Sequence, residues 1–100
     1  MRTLPLEGNR VRILVRGEID IATAAQLNAG LLKELLARRD VVLDLSGVEF
    51  MDASALGALI GARRRFERRG QSLRVRLRPS TQPHRLLTLT GIRPMLALED

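Results

Sequence analysis

The chain has no cysteine, no tryptophan and no tyrosine, and its aromatic content is two phenylalanines, Phe50 and Phe66. Without cysteine there is no disulfide framework, no thiolate nucleophile and no cysteine-based metal site. With so few aromatics there is little on which to stack unpaired bases, which argues against single-strand nucleic-acid binding. The one histidine, His84, follows Pro83 at a helix start and has no obvious nucleophile partner in sequence; it reads as a surface or capping residue. No histidine pair or histidine–carboxylate spacing suggests a metal. The stretch "GALIGARRR" has glycines but lacks the phosphate-loop pattern, and it falls inside a helical segment rather than before one. No apolar run approaches the ~20 residues of a membrane span. The opening "MRTLPLEGNR" has no apolar secretory core, so a cytoplasmic location is expected. Together these absences argue against an enzyme, a resident metal and a cofactor.

What is present is an ordinary globular composition: 100 residues, 45% hydrophobic and 28% charged. That length supports one core, so a single domain over residues 1–100 is expected. The net charge is +6, and of the 17 basic residues only Lys33 is lysine; the rest are arginine. Such a balance suits an acidic partner, an anionic membrane surface or nucleic acid. The arginines are spread along helix-like and strand-like segments, including the run Arg63, Arg64, Arg65, Arg68 and Arg69, as solvent-facing residues would be. Direct nucleic-acid binding is therefore not expected.

Hydrophobic spacing gives the order of elements. Residues 11–18, "VRILVRGE", place Val11, Ile13 and Val15 on one side and Arg12 and Arg16 on the other, a strand that Gly17 lets end. Thr23 and Gln26 have capping-box spacing before a helix whose Leu27, Leu31, Leu32, Leu35 and Leu36 form an apolar stripe. "VVLDL" at 41–45 reads as a strand buried on both faces, in which Asp44 needs a partner. "SGVEFMD" reads as the connecting loop. A second helix follows, with Leu56, Leu59, Ile60, Arg63 and Phe66 on one stripe and Gly70 as its stop. "LRVRLR" at 73–78 alternates strictly, and a last helix spans roughly 82–89, ended by Gly91. "MLAL" suits a final short strand or a packed tail. The order β-α-β-α-β-α, with short strands at either end, predicts an α/β fold with a mostly parallel sheet.

Asp52, Ala53 and Ser54 stand where the second helix begins. An acid or hydroxyl there caps free backbone N–H groups, and the positive end of the helix dipole also tolerates a phosphate. Serine phosphorylation at such a point adds charge without unfolding the helix.

These residues resemble a known family. "VVLDLSGVEFMDASALGALIGA" is similar to the signature of STAS domains, the sulfate-transporter and anti-sigma-factor-antagonist family. "GEIDIATA" at 17–24 and "PSTQPHRLLTLTGI" at 79–92 resemble two further stretches of it, in the right order. The resemblance implies a four- to five-stranded mixed sheet with helices packed against it, and a regulatory role without catalysis. Stand-alone members typically bind an anti-sigma factor, often an ATP-dependent serine kinase, and so release a sigma factor by partner switching. Carried over position by position, Asp20 and Thr23 match a loop bordering the partner surface. Asp52 matches the motif's acid, and Leu56 and Gly57 its Leu-Gly. The family's usual phosphoacceptor position is Ala53 here, which cannot be phosphorylated. Ser54 matches the second hydroxyl residue, and Ala55 stands where the pattern has glycine. Either Ser54 takes over as phosphoacceptor, or the domain is not switched by phosphate. The alternative role that the resemblance implies is a STAS subunit of a lipid or anion transport assembly at the inner membrane face. Weak homodimerisation is also compatible with a small sheet of this kind.

Overall fold

A computed structural model of the chain describes residues 1–91 and 96–99. Ile92, in the expected glycine–hydrophobic turn, and Met95 of "MLAL" lie outside the described residues. The elements are β1 (Arg2–Leu6), β2 (Arg10–Ile19), α1 (Ile21–Leu36), β3 (Asp40–Met51), α2 (Ala53–Arg68), β4 (Leu73–Arg76), α3 (Gln82–Thr90) and β5 (Ala97–Glu99). The five strands form one sheet in the order β1-β2-β3-β4-β5. The β1–β2 pair is antiparallel and the other pairs are parallel. The expected α/β architecture, a mostly parallel mixed sheet with short strands at each end, is the one observed.

Register explains the core. Val11, Val41 and Leu73 lie in one row across the sheet, and Ile13, Leu43 and Val75 in the next. All six are buried and join one cluster with Leu27, Leu31 and Leu35 of α1, Leu56, Leu59 and Phe66 of α2, and Leu87 of α3. Each fully buried Leu or Phe contributes roughly 1.5–3 kcal/mol of apolar transfer. The alternate residues point to the other face of the sheet. There Val42 is buried between Arg12 and Arg74, its neighbours in register, and stands apart from the helix-side cluster.

Several local expectations change. Leu32 and Leu36 are 49% and 64% exposed. At 3.6 residues per turn they stand roughly 140° and 180° round α1 from Leu27, on its solvent side. Their place in the buried stripe is taken by Glu34, whose carboxylate meets Arg39 at 3.3 Å. The expected loop "SGVEFMD" is mostly strand, because β3 runs on to Met51. It stays paired to β2 through two register shifts, between Leu14 and Arg16 and between Gly17 and Glu18. Gly17, at φ +83°, supplies the left-handed backbone for the second shift, so β2 continues past it instead of ending there. β4 closes at Arg76, two residues before the expected end.

Asp44 finds its partners on the face away from the helices. Its Oδ1 accepts from the Ser46 hydroxyl at 2.5 Å and from the Ser46 N–H at 3.0 Å, while Arg12 stands 3.5 Å from Oδ2. Burial alone would raise the Asp44 pKa. The Ser46 hydrogen bonds and the positive charges of Arg76 and Arg12 outweigh that and hold the carboxyl below its ordinary value.

Candidate functional site: the helix-start edge

β2 and β3 are parallel neighbours that end together, at the pair Ile19–Met51. Each is followed at once by an aspartate and then a helix, so the starts of α1 and α2 are brought side by side. The Asp52 N–H donates to the Ile19 carbonyl at 3.3 Å, tying the two strand ends together. This is the edge at the carboxyl ends of the strands, where open parallel sheets usually present their sites.

Both aspartates are N-caps. Asp20 Oδ1 accepts from the Thr23 N–H at 3.0 Å, and the Asp20 N–H donates to Thr23 Oγ1 at 2.8 Å. Asp20 is thus the cap and Thr23 the third helical residue of a capping box, displacing the expected pairing of Thr23 with Gln26. The Thr23 bonds hold the Asp20 carboxyl below its usual range. Asp52 Oδ1 accepts from the Ala55 N–H at 3.1 Å and from the Ser54 hydroxyl at 2.5 Å. The Ser54 hydroxyl is exposed but already committed to its own helix cap.

α3 is joined to the same edge. The Met51 N–H donates to Gln82 Oε1 at 2.9 Å, and Gln82 Nε2 donates to the Met51 carbonyl at 3.0 Å. A single amide thus satisfies the end of β3 in both directions, as a neighbouring strand would.

Of the residues singled out in the sequence, Asp20, Ala53, Ser54 and Gly57 are exposed at this edge, and Thr23 and Asp52 are half-buried. Leu56 is 3% exposed and belongs to the core; it supports the start of α2 from beneath instead of presenting a surface. Among the described residues nothing lies within 4 Å of where a Gly57 Cβ would stand, so no packing among them requires glycine there. Two apolar residues at this edge were not singled out. Ile21 opens α1 at 78% exposure and Phe50 precedes Met51 at 46%. The signal for Phe50 was hidden in a stretch that reads as loop; Ile21 falls before the expected helix start at Thr23, whereas α1 begins with it. Gln82 had no sequence signal at all, since its role depends on a partner 31 residues away.

Among the described residues no cluster of three His, Asp or Glu could hold a metal. Glu18, Asp20, Glu49 and Asp52 give it a negative cast, interleaved with the Ile21 and Phe50 side chains and the bare backbone of Gly57. Exposed apolar side chains, the bare backbone of Gly57 and a polar surround thus stand together at this edge.

The family model described as "Mlab, STAS domain" matches residues 3–97. The chain belongs to the STAS family. The anti-sigma-B factor antagonist of Listeria monocytogenes is 31% identical over 96 residues, covering 92% of this chain and 81% of that one. An anti-sigma factor antagonist from Mycobacterium paratuberculosis superposes with a TM-score of 0.79 at 27% identity, over 97% of this STAS chain and 83% of the other. The Bacillus cell fate determinant SpoIIAA in its phosphorylated form shares the fold, with a TM-score of 0.73 at 19% identity, over 99% of this chain and 90% of that one. No helix among the described residues of this STAS domain is long and apolar enough to cross a membrane.

Proposed function

We propose that this STAS domain is an anti-sigma factor antagonist. It docks an anti-sigma factor of the ATP-binding serine-kinase type through the helix-start edge, in the cytoplasm, and so releases a sigma factor. The observation that carries the reading is the pairing of two capped helix starts at adjacent strand ends, beside the exposed backbone of Gly57. The relatives named as anti-sigma factor antagonists support it. Asp20, Thr23, Asp52, Ala53, Ser54 and Gly57 form the contact, with Leu56 holding the helix from below.

In this reading the complex is constitutive. Ala53 has no hydroxyl, and the Ser54 hydroxyl donates to Asp52. A phosphate on Ser54 would break that bond and set about two negative charges against the Asp52 carboxylate. Two measurements test the proposal. Capture of the tagged chain from its native cell, with bound proteins identified, is expected to recover an ATP-binding anti-sigma kinase; recovery of transporter ATPase or permease subunits instead overturns it. Intact-mass measurement after incubation with that kinase and ATP is expected to show no added phosphate on the wild type and one on Ala53→Ser. A phosphate on the wild type would transfer the acceptor role to Ser54 and end the constitutive reading.

A further inference from the structure

The sheet has a second face, and no described element covers it. All three helices contribute to one cluster on the opposite side. Register puts Leu4, Arg12, Val42 and Arg74 in one row of the open face, and Arg2, Leu14, Asp44 and Arg76 in the next. Arg16 and Arg78 close the far end, around a shallow hollow of about 330 Å³ floored by Leu14 and Asp44. Register pairs Glu99 with Arg76, and alternation with buried Ile19 turns Glu18 to the helix-start end of this face; the other two acids on it are Asp40 and Asp44. Both already accept hydrogen bonds within the chain, Asp40 from the Ser72 N–H and Asp44 from Ser46. Arginine nonetheless outnumbers acid here, and Arg74, Arg76 and Arg78 are exposed to solvent.

We infer that the open sheet face is a second docking surface, for an extended acidic segment of a partner protein with Asp or Glu at alternate positions. This goes beyond the anti-sigma reading and does not depend on it, because it concerns the face of the sheet, not its helix-start edge. Charge complementarity names the sign of the partner, and the surrounding residues name its class. Half-buried Leu4, Leu6 and Leu14 lie between the arginines, a mixture typical of protein interfaces, where arginine is enriched. The one exposed aromatic near this face is Phe50, at its helix-start end, and a single ring is no platform for successive bases. The major groove admits a helix or a two-stranded ribbon, both narrower than this five-stranded face. The large apolar side chains that could anchor in lipid, Ile21, Leu32, Leu36, Phe50 and Leu89, are on or beside the helices or at the helix-start edge. Alternate residues of a strand are about 6.6 Å apart, so Arg74 and Arg76 repeat at the spacing of alternate carboxylates on an extended chain. The planar guanidinium pairs with each carboxylate through two parallel hydrogen bonds.

The test uses fluorescence anisotropy with three probes: a labelled peptide of alternating Glu and Thr, a labelled DNA duplex, and vesicles containing phosphatidylserine. Two charge-reversed variants of equal net charge are compared with the wild type. One carries Arg74→Glu and Arg78→Glu on the open face; it leaves Arg12 and Arg76 beside Asp44, so folding is spared, as an unchanged melting temperature will verify. The other carries Arg64→Glu and Arg65→Glu on α2. The wild type is expected to bind the peptide more tightly than the duplex or the vesicles. The open-face pair should weaken peptide binding at least about tenfold and the α2 pair by less than about twofold. Equal weakening by both pairs would reduce the effect to net charge and overturn the inference. So would failure of the wild type to bind the peptide, or tighter, face-dependent binding of the duplex or the vesicles.

Discussion

At the helix-start edge, four acids stand within reach of two strand ends, and two of them, Asp20 and Asp52, are fixed by hydrogen bonds to helix N–H groups. On the open sheet face the buried acid Asp44 stands 3.5 Å from half-buried Arg12 and beside the exposed Arg16, Arg76 and Arg78. The two regions share β2 and β3 yet are built on different principles. The edge owes its shape to backbone: strand ends, caps and a bare glycine. The face owes its character to side-chain alternation, which any arginine-bearing strand would give. The lesson is that a small domain can carry two surfaces of opposite sign without enlarging its core, because strand ends and strand faces are addressed by different residues of the same strands.

Substitutions can break that contrast one side at a time. The largest effect belongs to the centre of the open face. Asp44→Ala should destabilise the fold by about 2 kcal/mol, since it strips the Ser46 N–H and hydroxyl of their buried acceptor. Urea unfolding at neutral pH measures it. Because the folded state lowers the Asp44 pKa, the stabilisation is present above its ordinary value of 3.8 and is lost as pH falls through the folded value. The gap between wild type and Asp44→Asn should therefore close in acid; a gap that widens below that pH would mean the carboxylate is not held ionised.

On the edge, Asp52→Ala removes the α2 cap and should lower stability by about 1 kcal/mol. It should also weaken anti-sigma binding, whereas Asp44→Asn, away from the edge, should leave that binding intact in any sample that remains folded. Gly57→Ala has the smallest effect and the opposite sign. Helical glycine costs roughly 0.5–1 kcal/mol against alanine, and here the added methyl meets nothing among the described residues, so the variant should melt higher. If the edge is the docking surface, the same methyl should weaken the complex. A variant both more stable and equally tight would show that no partner approaches Gly57.

Much of the fold was legible because its signals are local. The alternation in "VRILV" and "LRVRL" gave strand faces, and the apolar spacing of Leu56, Leu59 and Phe66 gave the buried side of α2. What could not be read depended on partners distant in sequence. The strand character of residues 46–51 arises from pairing with a bulged β2, so a stretch with loop composition became a ladder. Leu32 and Leu36 read as part of the apolar stripe from their spacing, but among the described residues nothing buries that side of α1. At the site, the aspartates and the Ala53–Ser54 pair were visible in sequence. The commitment of the Ser54 hydroxyl to Asp52 and the two-way amide of Gln82 were not, since both are matters of geometry.

The central claim is that the helix-start edge, not the arginine face, binds the anti-sigma factor. Calorimetric titration of that factor into Gly57→Arg and into the Arg74→Glu, Arg78→Glu pair tests it most directly. The account predicts that the arginine at Gly57 weakens the complex at least about a hundredfold, as a bulky charge placed in an interface should, while the open-face pair changes affinity less than about threefold. Tight binding by Gly57→Arg together with loss of binding in the open-face pair would contradict the account and move the anti-sigma factor to the other side of the sheet.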